Sequence, residues 1–140
     1  ANVLKVKSNM DSGMFKPLQL AATDALSLGK EWYCELNEEY MNRKRLAEEI
    51  FNMLDVKYDK KSGGMFLWGK VNKNWQTGMK LSDYMLDKAK VFITPGFIFG
   101  SNGNQYVRIS LCSKQEVLKE AIERIKQSLN MTDFTHGSWC

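Results

Sequence analysis

Tyr106-Val107-Arg108-Ile109-Ser110-Leu111 alternates without a break between apolar residues and residues able to face water. Side chains along a strand point to opposite faces in turn, so Val107, Ile109 and Leu111 share one face while Tyr106, Arg108 and Ser110 share the other. Such a strand demands a sheet with one face covered. The apolar trio belongs beneath helices, and Arg108 then stands on the opposite face, carried by a stiff element. A guanidinium held that way suits bidentate capture of a carboxylate or a phosphate. Spacing alone leaves this open against a surface arginine paired with an Asp or Glu.

The remaining segments supply the layers this strand needs. Residues 3–7 form a short extended or helical lead-in, followed by a polar turn over 8–13. From about Phe15, Leu18, Ala21, Ala22, Ala25 and Leu26 recur at the spacing of one helical stripe. Pro17 fits the first turn of that helix and Gly29 ends it. A longer helix is predicted from about Glu31 to Leu54, with Trp32, Leu36, Tyr40, Ala47, Ile50 and Leu54 as its stripe. The polar stretch 55–64 closes on a turn, Lys60-Lys61-Ser62-Gly63-Gly64. Residues 65–71 are apolar at nearly every position and read as a buried strand, with Phe66 and Trp68 in the core.

A loop over 72–80 then leads to a short helix, which Ser82 would cap while Leu81 packs on Leu86. Val91-Phe92-Ile93-Thr94 is a second strand, stopped by Pro95-Gly96. After the alternating strand, Ser113 with Glu116 makes a capping box, opening a helix whose stripe is Val117, Leu118, Ala121, Ile122, Ile125 and Leu129. The order is ααβαββα. Helices and strands do not alternate regularly, so a doubly wound parallel sheet is not expected. The fold class is α/β of an α+β-like kind: a small, mostly antiparallel sheet of three to four strands with helices packed on one face. The expected organisation is a lead-in over 1–13, one domain over 14–129, and a poorly ordered tail over 130–140.

Composition narrows the function classes. Hydrophobic residues at 44% and charged residues at 26% exclude wholesale disorder. A net charge of +4, with lysines alternating with acids, describes a solvated surface rather than a polyanion-binding face. No apolar run reaches the ~18 residues of a membrane span, and no basic-then-apolar leader is present, so the expectation is a soluble, unexported, cytoplasmic protein. The chain opens on Ala1, which suggests a segment of a longer protein. Cys34, Cys112 and Cys140 are widely spaced and odd in number, as free thiols in a reducing compartment would be. Cys34 and Cys112 are expected in the core. The lone His136 lies in the unpatterned tail, so neither a Ser/His/Asp constellation nor a zinc site is expected.

Two further stretches attract notice. Pro95-Gly96-Phe97-Ile98-Phe99-Gly100-Ser101-Asn102-Gly103 is rich in glycine, but a phosphate cradle needs a helix N-terminus next and here a strand follows. It reads as a connector with Phe97 and Phe99 anchored in apolar surroundings, or as a loop closing over a ligand. Between Lys57 and Trp75, lysines 60, 61, 70 and 73 interleave with Tyr58, Phe66 and Trp68, a mixture that could contact single-stranded nucleic acid.

Taken in order, these segments resemble a known family. Ser8-Asn9-Met10-Asp11-Ser12-Gly13-Met14-Phe15-Lys16-Pro17, followed by Gln19 and the Ala-rich helix, resembles the segment opening the C-terminal part of class I/II aminotransferases. These are the pyridoxal-phosphate (PLP) enzymes of fold type I. Glu31-Trp32 and Tyr40-Met41-Asn42-Arg43-Lys44-Arg45 resemble that family's long helix with its Tyr-x-x-Arg-Arg-like signature. Gly63-Gly64-Met65-Phe66-Leu67-Trp68 is similar to its Gly-x-Phe/Tyr-x-Trp strand. Val91 to Gly96, Phe99-Gly100 and Tyr106 to Leu111 resemble its Val-x-x-x-Pro-Gly, Phe-Gly and Phe/Tyr-x-Arg-Ile-Ser block. The ordered set covers roughly residues 5–128.

The resemblance implies a fold and a role. The segment would be the family's C-terminal small domain, an α/β sandwich, within an enzyme that moves an amino group between an amino acid and a 2-oxo acid. Arg108 matches the strand arginine that binds the substrate α-carboxylate in that family. The Schiff-base lysine, the phosphate cup and the acid facing the pyridine nitrogen belong to the large domain upstream. No catalytic residue, no cofactor-binding residue and no metal ligand is therefore expected in this segment. PLP would be bound by the full-length parent, not stably by these residues, and the isolated chain is expected to be inactive. The parent is expected to be a cytoplasmic homodimer with no membrane contact and no nucleic-acid partner. Two alternatives stay open: an aminotransferase-like effector domain of a transcription regulator, and a non-enzymatic nucleic-acid-binding module.

Overall fold

The computed structural model describes residues 2–10 and 13–133. Two compact units are present, residues 1–37 and 38–140. In the first, α1 (Asn2–Met10) is a helix through the span expected to turn at residue 8. Ser8 Oγ and Asn9 Nδ2 both donate to the Lys5 carbonyl, at 3.1 and 2.8 Å, so these turn-forming side chains bond back to the helix instead of breaking it. The next helix, α2 (Lys16–Leu26), carries Pro17 in its first turn, as expected. Its apolar stripe is exposed, with Leu18 at 59% and Leu26 at 84%. In the same unit Trp32 and Tyr33 meet edge to face at 5.0 Å, and Tyr33 donates to the Ala25 carbonyl at 3.3 Å.

The second unit contains the sheet. Long helix α3 (Lys30–Met53) buries Ala47, Ile50 and Phe51 there. Strands β1 (Lys57–Tyr58), β2 (Phe66–Lys70), β3 (Thr94–Pro95) and β4 (Tyr106–Ser110) lie in the order β1-β2-β4-β3, and every neighbouring pair is antiparallel. Helices α4 (Gly78–Ala89) and α5 (Gln115–Asp133) complete it. The expected α/β architecture is thus present: a four-stranded antiparallel sheet with helices on one face. Leu67, Val107, Ile109 and Leu111 form a core with Ile50 and Phe51 of α3, Leu81 and Met85 of α4, and Leu118, Ile122 and Ile125 of α5. Each such side chain contributes about 1.5–3 kcal/mol by leaving water.

Several elements depart from expectation, each for a local reason. The strand β1 lies inside the polar stretch 55–64, too short to show a periodicity. β2 is half-buried rather than buried, because only Leu67 and Gly69 face the helices, while Phe66 and Trp68 lie on the open face. Pairing in β3 begins at Thr94 and includes Pro95, which an edge strand tolerates because its outer side needs no N–H donor. Helix α4 starts at Gly78, capped by Thr77 Oγ1, which accepts from the Lys80 amide at 3.2 Å. Ser82 is instead buried within α4 and donates to the Ile93 carbonyl at 2.6 Å, and Leu86 is exposed, so no staple forms. Val117 on α5 is likewise exposed. Cys34 and Cys112 are free but exposed, not core residues. Helix α5 continues to Asp133, and the rest of the expected tail, with His136 and Cys140, lies outside the described residues.

Candidate functional site

The register of the sheet decides what shares the open face with Arg108. Across β2 and β4, Phe66 stands opposite Ser110, Trp68 opposite Arg108 and Lys70 opposite Tyr106. On the other side, Thr94 stands opposite Arg108. Arg108 therefore occupies the middle of the face, on a strand bonded at both edges. Its guanidinium carbon lies 4.2 Å from the ring centre of Phe66, 4.3 Å from that of Phe99 and 5.9 Å from that of Trp68. Trp68 and Phe99 in turn meet edge to face at 5.2 Å.

No polar partner completes this arrangement among the described residues. Arg108 Nε is buried and makes no hydrogen bond. The other arginines are engaged: Arg43 and Arg124 bond to Glu39 and Glu120, and Arg45 donates to Asn42. A recess of about 380 Å³ between the 90–94 segment and α5 reaches Arg108 and Ser110 at the sheet, and runs inward to Ile50, Ile109 and Leu118 of the core side. A cation flanked by aromatic faces, with free donors and an adjoining recess, can accept an anion of planar shape.

Phe99 reaches this place through the glycine-rich connector. Two short 3₁₀ turns, Gly96–Phe99 and Ser101–Gly103, fold it against the sheet. Their backbones meet so closely that a Cβ on Gly103 would fall inside van der Waals contact with the Gly96 carbonyl. The expectation of Phe97 and Phe99 anchored in apolar surroundings is corrected: both are exposed, at 42% and 51%, and Phe99 packs on the cation.

The strands of the site are tied down from α3. Arg43 Nη1 donates to the carbonyl of Leu111, just past β4, at 3.2 Å, and its Nε donates to Glu39 Oε1 at 2.8 Å. The other oxygen of Glu39 accepts from Gln115 Nε2 at 2.8 Å. The hydrogen bond from Arg43, then that from Gln115, holds the Glu39 carboxyl below its ordinary pKa. The neighbouring Lys44 Nζ donates to the carbonyls of Lys60 and Ser62, both at 2.7 Å, and so fixes the turn that leads into β2. Adjacent residues of one helix thus hold the exit of β4 and the approach to β2.

Arg108 lies on its strand as expected, whereas Phe66 and Trp68 lie on the open face and not in the core, and Phe99 packs on the cation. The signal that could have found them is the placement of Leu67 and Gly69. If those two face inward, Phe66 and Trp68 must share the face of Arg108. Among the described residues, no three His, Cys, Asp or Glu side chains could hold a metal ion together. The basic stretch between Lys57 and Trp75 is divided, with Trp75 packing on Tyr84 at 5.1 Å and Lys57 opposite Lys70 at the β1 edge.

LL-diaminopimelate aminotransferase of Moorella thermoacetica is 35% identical over 130 residues, covering 93% of this chain and 33% of the relative. Transaminase BacF of Bacillus subtilis is 42% identical over 120 residues, covering 85% and 30% respectively. The structure of apo-BacF from that organism superposes with a TM-score of 0.70 at 38% identity, covering 88% of this chain and 33% of that one. The chain spans about a third of the length of these curated relatives. Since residues 2–125 match the sequence profile described as aminotransferase class I and II, the chain belongs to that family.

Proposed function

We propose that these residues are the C-terminal small domain of a PLP-dependent aminotransferase, and that Arg108 binds the α-carboxylate shared by its amino-acid and 2-oxo-acid substrates. The observation that carries this reading is the guanidinium of Arg108, central on the open face and without an acid partner among the described residues. A carboxylate common to every amino acid can be held there by paired N–H donors, while side-chain selectivity is decided elsewhere.

The described residues of the open face do not make a seat for PLP. The strands place no acid on the open face to meet a pyridine nitrogen, and their lysines there, Lys57 and Lys70, face one another at the β1 edge. That set fits the acid end of a substrate. In this reading PLP is held by parts of a homodimeric, cytoplasmic parent outside these residues, and the isolated chain does not transaminate. No described helix is long and apolar enough to cross a membrane.

The test is Arg108→Ala in the full-length parent. Truncating one partner of a charged, hydrogen-bonded pair costs roughly 2–5 kcal/mol, so kcat/KM should fall about 30- to 5,000-fold for every amino-acid donor. The carboxamide of the same donor, which lacks the acid, should lose little. An unchanged kcat/KM for the acid removes Arg108 from the site. The 140-residue chain mixed with PLP and an amino donor should form no oxo acid, and turnover by it would overturn the assignment as a partial domain.

A further inference from the structure

The guanidinium of Arg108 is not equally available on all sides. It has five N–H donors, one on Nε and four on the two Nη atoms. Nε is buried and unbonded, so no incoming group reaches it without moving its surroundings. The carbon of the group is meanwhile held over the rings of Phe66 and Phe99, at 4.2 and 4.3 Å. Phe66 is fixed by its strand register opposite Ser110. Phe99 is fixed by the glycine-tight connector and by the edge-to-face contact with Trp68.

We propose that Phe66 and Phe99 are positioning residues that pre-set Arg108 so that a carboxylate is bound end-on, by Nη1 and Nη2 together, and not by Nε with one Nη. The inference deepens the proposed function and rests on its assignment of Arg108. An arginine has many rotamers, and freezing such a side chain on binding weakens the complex. The two rings bear that ordering in advance and leave the outer donors free. Their quadrupoles attract the cation without accepting a hydrogen bond in the plane of the guanidinium. Neither ring needs to touch the ligand.

The test uses the 140-residue chain with ¹⁵N-labelled arginine, titrated with propionate and followed by NMR at the side-chain N–H groups. The Hη signals of Arg108 should shift in a saturable way while its Hε signal moves little. Phe66→Leu and Phe99→Leu should each weaken propionate binding about 2- to 13-fold, the loss expected when one such side chain must be immobilised on binding. Phe99→Tyr, which keeps the aromatic face, should bind as the parent chain does. Both phenylalanines are partly exposed, so these variants keep the fold. An Hε signal that moves in step with Hη, or leucine variants that bind as tightly as the parent chain, overturns the end-on clamp alone. Propionate binding that survives unchanged in Arg108→Ala overturns instead the assignment of Arg108 as the carboxylate site.

Discussion

Gly69 of β2 offers a sharp test of how the sheet is joined to its helical layer. It lies on the core face beside Trp68, and a Val56 methyl together with the ring of Phe51 fills the space a side chain would take. A Cβ added there would stand 2.7 Å from Phe51 Cε2 and nearer still to Val56 Cγ1. Both neighbours are buried, Phe51 completely, so neither can swing into solvent. Gly69 has no unusual backbone angle, and the cost of Gly69→Ala is therefore steric. Overpacking by one methyl in a dense core costs about 1–3 kcal/mol. Replacing glycine also restricts the unfolded chain, which returns about 0.4–1 kcal/mol. The net expectation is a destabilisation of roughly 1.3 kcal/mol, within a span of about 0–2.6 kcal/mol.

Urea unfolding followed by circular dichroism measures that difference directly. The decisive comparison is the double variant Gly69→Ala with Val56→Ala, which removes the methyl nearest to the added Cβ. It should be more stable than the sum of the single changes by at least about 0.5 kcal/mol, the coupling expected of side chains in contact. If the Gly69→Ala and Val56→Ala changes add, then Val56 does not occupy the space opposite Gly69.

Two further outcomes are expected. Glu39, held below the ordinary glutamate pKa of 4.5 by its bonds from Arg43 and Gln115, stabilises the fold fully above that value and loses its contribution as pH falls through the lowered one. Glu39→Gln should therefore be less stable than the parent chain at pH 7, with the gap closing in urea titrations as pH drops below about 4.5. A gap constant with pH would place the effect in packing alone. Ser82→Ala removes a buried donor 2.6 Å from the Ile93 carbonyl and should cost about 1–3 kcal/mol, with faster hydrogen exchange in α4, whereas a loss below about 0.5 kcal/mol would show that water replaces the bond.

What was legible in the sequence followed the strength of the local pattern. The six residues 106–111, which contain β4, alternate so strictly that only one face could be apolar, and the helical stripe of α5 fixed a second layer. β2 misled because Phe66, Leu67 and Trp68 are all apolar. Hydrophobicity says only that they avoid water somewhere, while the pleat sends Leu67 one way and Phe66 and Trp68 the other. The start of α4 misled because Thr77 and Ser82 are equally good capping residues. The choice between them depends on Ser82 meeting the Ile93 carbonyl, a partner eleven positions away that no local pattern contains. Phe99 was invisible for the same reason: its neighbours Trp68 and Arg108 come from two other segments of the chain.

That no acid stands beside Arg108 among the described residues has a physical logic on the proposed function. A guanidinium already paired with a carboxylate, as Arg43 is with Glu39, would have to give up that pair before it could take another. An exposed ion pair contributes only about 0–1 kcal/mol, yet breaking it during binding still subtracts from the affinity for a ligand. Aromatic faces stabilise the same cation by about 0.5–2 kcal/mol without using its in-plane donors. Phe66 and Phe99 thus make an unpaired charge tolerable while keeping it ready. The alternation over residues 106–111 separates the two duties: one face of β4 secures the core, and the other presents a cation whose hydrogen-bonding capacity is unspent.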